Sequence, residues 1–200
     1  MKNTRGSVTV QAAPVTATLA ASPTAVAFGG RITLSGQLSN KLANEKVDIY
    51  KTECGASQVR VDMVTTTADG NFSYAVQPLK NTAYQARYKT STTSPSASVS
   101  ARPRITLAKV APRRFTVRVF AAQSFAGKVV VLQRFNKAAG AWVKVRTATL
   151  RPNTSGVAPT VISSVTTAAS VKAKTKLRIV MTQAQVGSWY VAGTSNAILA

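Results

Sequence analysis

Val171, Ala173, Thr175, Leu177 and Ile179 alternate with Lys172, Lys174, Lys176 and Arg178. This two-residue period lets a strand send alternate side chains to opposite faces. The same alternation returns along the chain in runs of five to nine β-forming residues, separated by turn chemistry about every ten residues, which is the pattern of a β-sandwich. It predicts strands near 15–21, 31–39, 45–52, 58–67, 71–77, 82–90 and 96–102, then near 104–109, 114–121, 128–135, 141–150, 156–163, 174–182 and 188–198. No convincing helical period interrupts them. The expected fold class is all-β: two tandem sandwiches of about seven strands each.

Two copies follow from self-comparison. An offset of 83 sets Ile32, Leu34, Leu42, Val47 and Ile49 on Phe115, Val117, Phe125, Val130 and Leu132. A further one-residue shift lays QVRVDMVT (58–65) on WVKVRTAT (142–149), and NTAYQARY (81–88) falls on KTKLRIVM (174–181). Identities are few but the apolar phase is kept, as in a structural repeat. Asp69-Gly70 offers the positive-φ residues of a tight hairpin. Arg102-Pro103-Arg104 forms a short junction whose proline limits play between the copies. SVTVQAAPVTATL (7–19) reads like SASVSARPRITL (96–107), so residues 6–13 look like the last strand of an earlier repeat, able to pair with a neighbouring copy. The expected units are an N-terminal segment 1–14, a first domain 15–102 and a second domain 103–200.

FGGRITLSGQL (28–38), NEKVDIYK (44–51), VTTTADGNFSYAV (64–76) and NTAYQARY (81–88), with GKVVVLQR (127–134) and AWVKVRTATL (141–150) in the second copy, resemble the bacterial immunoglobulin-like, fibronectin-III-like repeats found in tandem on secreted and surface proteins. The resemblance implies a non-enzymatic structural or adhesive module, secreted or at the cell surface. The second copy departs from it in having Thr154-Ser155-Gly156 for Asp69-Gly70 and Leu177 for Tyr84, so a tyrosine corner made by Tyr84 would have no counterpart there. Calcium binding between domains, known in some members, is not carried over, because calcium wants carboxylates.

Charge changes the picture most. The chain holds 26 Lys and Arg against five acids, for a net charge of +21. The acids are Glu45, Asp48, Glu53, Asp62 and Asp69, so residues 104–200 carry fifteen cations and no carboxylate side chain. Such asymmetry points to an anionic partner. If NKAAG (136–140) closes a hairpin within one sheet, Lys144, Arg146, Lys176 and Arg178 point outward on one face, and Lys174 extends the row. These five are the candidate contact for an anionic polymer or an acidic protein surface. Nucleic acid is possible but not favoured, and Trp142 or Trp189-Tyr190 could serve it only as stacking rings. A phage virion component, docked on an acidic lattice, is the alternative reading.

Candidate catalysis is thin. There is no His, Cys54 is the only Cys, and Asp62 and Asp69 read as turn and surface residues, so no activated nucleophile, metal site or cofactor is expected. Gly29-Gly30 precedes a strand rather than a helix and lacks the anion-binding helix start of a phosphate loop. The N-terminal stretch contains Pro14 and Pro23, which break the apolar run of a signal peptide. No stretch is long and apolar enough to span a membrane as a helix.

Overall fold

The computed structural model describes residues 13–200. The chain forms β1 (Ala20–Ser22), β2 (Ala25–Ala27), β3 (Ile32–Gln37), β4 (Lys46–Glu53), β5 (Val59–Thr65), β6 (Asn71–Val76), β7 (Thr82–Tyr88), β8 (Thr92–Thr93) and β9 (Ala97–Arg102) in its N-terminal half. The C-terminal half follows with β10 (Arg104–Ala111), β11 (Arg114–Ala121), β12 (Val129–Asn136), β13 (Ala141–Thr149), β14 (Arg151–Asn153), β15 (Val161–Ala168), β16 (Lys176–Met181), the single-turn helix α1 (Gln183–Val186), β17 (Gly193–Thr194) and β18 (Ile198–Leu199). The protein is therefore all-β, as its alternation predicts. Two sheets serve the N-terminal half, ordered β1-β3-β6 and β2-β9-β7-β4-β5, and two serve the C-terminal half, ordered β10-β11-β15-β14 and β13-β12-β16-β17.

The inward phase of these strands makes two hydrophobic clusters. Ile32, Leu34, Val47, Ile49, Phe72 and Tyr84 centre the first; Phe115, Val117, Val130, Leu132, Leu177 and Ile179 centre the second. The apolar pairs matched at offset 83 occupy equivalent core positions, with one exception: Phe125 is buried whereas its counterpart Leu42 is exposed.

Several boundaries differ from the sequence reading. The strand expected near 15–21 shrinks to an isolated bridge at Ala17 and to β1, which pairs β3. β2, which was not expected, lies on the other sheet and runs parallel to β9. Asp69 and Gly70 do take positive φ, 61° and 70°, yet they close no hairpin: β5 pairs β4 while β6 pairs β3. The link crosses between sheets, held by the Leu38 amide on the Gly70 carbonyl and by the Thr66 hydroxyl on the Leu42 carbonyl. A side chain at Gly70 would press on the Leu38 carbonyl at 2.9 Å.

In the second copy the strand expected at 156–163 begins only at Val161. Residues 154–160 form a turn instead, and Pro159 within the expected run is the kind of residue that a paired central strand excludes. The strand expected at 188–198 is broken as well. Asn196, between β17 and β18, clamps the Leu107 peptide of β10 from both sides, its carbonyl accepting the Leu107 amide at 3.0 Å and its amide donating to the Leu107 carbonyl at 3.1 Å. Residues 6–13, read as a strand of an earlier repeat, lie outside the described residues apart from Ala13.

Between the halves a single residue, the buried Pro103, separates β9 from β10. Asn81 is the hub of the seam beside it. Its backbone amide donates to the Trp189 carbonyl at 2.8 Å, its side-chain amide donates to the Ser188 carbonyl at 2.8 Å, and its side-chain oxygen accepts the Ala101 amide at 2.9 Å. Trp189 lies under the Lys80 ammonium, 3.4 Å from the ring centroid. Tyr190 is fully buried; its hydroxyl accepts the Ala122 amide at 2.8 Å and donates to the Leu79 carbonyl at 2.7 Å. Both aromatics thus cover the seam and leave no ring free for a base. The tyrosine hydroxyl bonded back to the main chain is Tyr190, whereas Tyr84 is a core side chain whose hydroxyl lies beside Thr82.

Candidate polyanion interface

The β12-β13 hairpin decides where the cations go. NKAAG does close it: β12 pairs β13 from Asn136↔Ala141 to Val129↔Thr149, and β12 also pairs β16. Strands β13, β12 and β16 therefore lie side by side in one sheet. Buried Val130, Leu132, Leu177 and Ile179 define its inner face. Gln133, Lys144 and Arg178 form a cross-strand row on the outer face, since Gln133 opposes Lys144 on one side and Arg178 on the other.

Arg178 is the best-placed cation of that row. Its Nε donates to the Gln133 side-chain oxygen at 2.9 Å, and its guanidinium sits 4.2 Å from the centroid of Trp142. Trp142 is braced edge-on by Phe135, 5.4 Å away. The guanidinium is thus held flat against a ring before any ligand arrives, which reduces the ordering cost of binding. Lys144 and Lys176 are exposed on either side.

Two of the five candidates sit elsewhere than the alternation predicts. Lys174 is not in the strand: it has φ 63° in the turn before β16, where the Thr175 amide bonds back to the Lys172 carbonyl at 3.2 Å. It flanks the outer face from the end of the sheet. Arg146 leaves the outer row because the register slips between Leu132 and Gln133, making Val145 an extra residue and setting Arg146 opposite inward-facing Leu132. Its guanidinium crosses to the other sheet and donates to the Ala168 carbonyl. The sequence does carry this signal. Val143 and Val145 are apolar at odd positions, whereas Ala148 and buried Leu150 are apolar at even ones, and only an inserted residue reconciles the two phases. The first copy has the same slip between Ile49 and Tyr50, which sets Asp62 opposite Ile49.

The corresponding face of the first copy is electrically different. Arg87 stacks on Tyr50 at 4.3 Å, but Arg60, the counterpart of Lys144, is bound to Asp48 at 2.7 Å. An exposed ion pair of this kind adds little stability; its effect here is to cancel charge. Such cancellation is impossible in the second copy, where residues 104–200 contain no carboxylate side chain.

Sequence reasoning missed the outer face of the opposite sheet. Thr106 opposes Arg118, Arg118 opposes Ser164, and Ser164 opposes Arg151, a straight row across four strands. Arg104 lies beside it with its guanidinium 4.0 Å from Phe120. Four separate strands contribute one residue each to that row, so no local motif announces it.

Among the described residues no cluster of three His, Cys, Asp or Glu side chains could hold a metal ion, and no helix is long and apolar enough to cross a membrane. No protein-family model and no curated protein sequence matches the chain. Among the solved structures that match, one described as the tetra-tandem repeat in the extending region of a large adhesion protein aligns over 94% of this chain at 15% identity and a TM-score of 0.39. The chain spans about half of that structure, 49% of its length.

Proposed function

We propose that the protein is a non-enzymatic structural or adhesive module of a bacterial surface or secreted assembly, built from two tandem immunoglobulin-like domains, 15–102 and 103–200, of which the second contacts an anionic polymer. The observation that carries this reading is the outer face of β12, β13 and β16. A guanidinium preset on Trp142 and Gln133 stands there between exposed Lys144 and Lys176, with Lys174 at the end of the sheet and Arg146 at its edge. The first copy builds the same sheet with Gln85 in place of Arg178 and a neutralised Arg60. The fold therefore does not need these cations.

Replacing Lys144, Lys176 and Arg178 together with Gln tests the reading. The unfolding free energy should stay within about 3.5 kcal/mol of the parent: exposed Lys144 and Lys176 each move it by about 0.5 kcal/mol or less, while Arg178 gives up a cation–π contact worth about 0.5 to 1 kcal/mol and a hydrogen bond worth about 0.5 to 1.5 kcal/mol. Binding to poly(glycerol phosphate) should lose about two to three units of its log-affinity against log-salt slope, each neutralised phosphate contributing about 0.7 to 0.9 on nucleic-acid chains. An unchanged slope would remove this face from the interface.

A further inference from the structure

We infer that the polymer track does not end on this face: it turns the edge of the C-terminal half and continues on the outer face of the opposite sheet, and the polymer is a flexible phosphodiester chain of small repeating units. The inference rests on the reading just given for the first face and extends it around the molecule.

The edge supplies the crossing. β13 is the outermost strand of one sheet and β14 of the other, and only buried Leu150 joins them. An open cleft of about 640 Å³ lies alongside, with Arg146, Thr147 and Thr149 on one wall and Arg151, Ser164 and Thr166 on the other. Its polar lining is hydroxyl and guanidinium, and the bond from Arg146 to the Ala168 carbonyl spans between the two sheets there. Beyond the cleft the row reaches Arg151 and then Arg118. These two stand two strands apart, about 10 Å at the usual strand spacing, within reach of neighbouring phosphates on one extended chain.

Five cations thus succeed one another: Arg118 and Arg151 on the far sheet, Arg146 at the edge, Lys144 and Arg178 on the near sheet. The equivalent ladder positions of the first copy show what the fold alone demands. Ser35 pairs with Ser73 as Arg118 pairs with Ser164, Asp62 opposes Ile49 as Arg146 opposes Leu132, and Tyr50 lies between Arg60 and Gln85 as Gln133 lies between Lys144 and Arg178. That series contains one acid, one acid-paired arginine and no other cation. The belt is an addition to one copy.

The chemistry of the belt selects its ligand. Guanidinium forks match phosphate oxygens two at a time, and the Ser and Thr hydroxyls between them can donate to phosphate or polyol oxygens. Trp142 and Phe120 are already covered by Arg178 and Arg104, which leaves neither ring open for base stacking. A DNA duplex, stiff over about 150 base pairs, cannot turn so tight an edge.

Poly(glycerol phosphate) of about four and of about twenty repeats, titrated against the intact chain, R118Q/R151Q and K144Q/K176Q/R178Q, tests this. The parent should bind the long chain more tightly than the short one. R118Q/R151Q should leave short-chain affinity within about twofold, lower long-chain affinity about 30-fold at low salt, taking about 1 kcal/mol per cation, and reduce the long-chain salt slope by about 1.5. Unchanged long-chain binding by R118Q/R151Q would overturn the continued track while leaving the near face standing. Unchanged binding by K144Q/K176Q/R178Q would overturn the near face itself. Preference for heparin or for single-stranded oligonucleotide over poly(glycerol phosphate) would overturn the phosphodiester polyol assignment.

Discussion

Tyr190→Ala should lower the unfolding free energy by about 3 to 5 kcal/mol, the range for emptying a buried aromatic site. The ring is fully buried among the second cluster and meets Phe125 edge-on at 5.8 Å, so its removal leaves a cavity that neighbouring strands fixed by their ladders cannot fill. The hydroxyl adds a second loss, because the Ala122 amide and the Leu79 carbonyl both lose their partner. Tyr190→Phe separates the two contributions. It keeps the ring and should cost about 1 to 3 kcal/mol, the penalty for stranding a buried polar group. Urea unfolding followed by tryptophan fluorescence gives both values, and hydrogen exchange at the Ala122 amide should accelerate in either variant. A Phe variant as stable as the parent would show that water replaces the hydroxyl at the seam.

Raising the pH from 10 to 12 should remove about 2 kcal/mol of stability through Tyr84 alone, the remainder of its contribution going just outside that window. Burial pushes this phenol up to about 12, with the charge of Glu53 adding to the effect and a hydrogen bond with Thr82 opposing it. The unfolded chain ionises at the ordinary value near 10, so it releases its proton before the folded chain does, and the equilibrium then shifts towards unfolding. The contribution of Tyr84 is whole well below pH 10 and drains chiefly across the two units above it, each unit of separation being worth about 1.36 kcal/mol. Tyr190 and Tyr74 are raised as well, both chiefly by burial, and Tyr74 further by Asp62. Comparison with Tyr84→Phe isolates the Tyr84 share: the parent should lose stability relative to the variant between pH 10 and 12, and parallel curves would refute the assignment.

The alternation of Val130, Leu132, Leu177 and Ile179 with polar neighbours was enough to give the all-β class and the inner faces of the core strands, because burial on one face imposes a period of two wherever a sheet is covered on one side. The places it misled share a cause. At Val145 one additional residue reverses the phase, and Arg146 then reads as outward although it bridges the sheets. At Asp69-Gly70 the backbone angles were foreseen, but local conformation does not say to which sheet the next strand returns. Trp189 and Tyr190 looked like strand residues since they are good β-formers, and the seam that holds them depends on Leu79, Lys80 and Asn81 more than a hundred positions earlier. The near-face cations Lys144, Lys176 and Arg178 were legible because each sits in the polar phase of its own strand. The Arg118-Arg151 row, assembled across four strands, was not.

The seam also bears on how the chain would carry tension. Main-chain continuity between the halves passes through Pro103 alone, while Asn81 fastens three peptide groups from Ala101 to Trp189 around that point. A pull on the two ends is therefore shared between one covalent strand and a side-chain clasp a few ångströms to its side. Bending about Pro103 must break several of those bonds together with the Tyr190 hydroxyl bond to Leu79 and the Val191 amide bond to Ala101. Resistance to flexing is thus shared across the seam, and replacing the Asn81 side chain would remove two of these bonds while leaving its backbone bond to Trp189 in place.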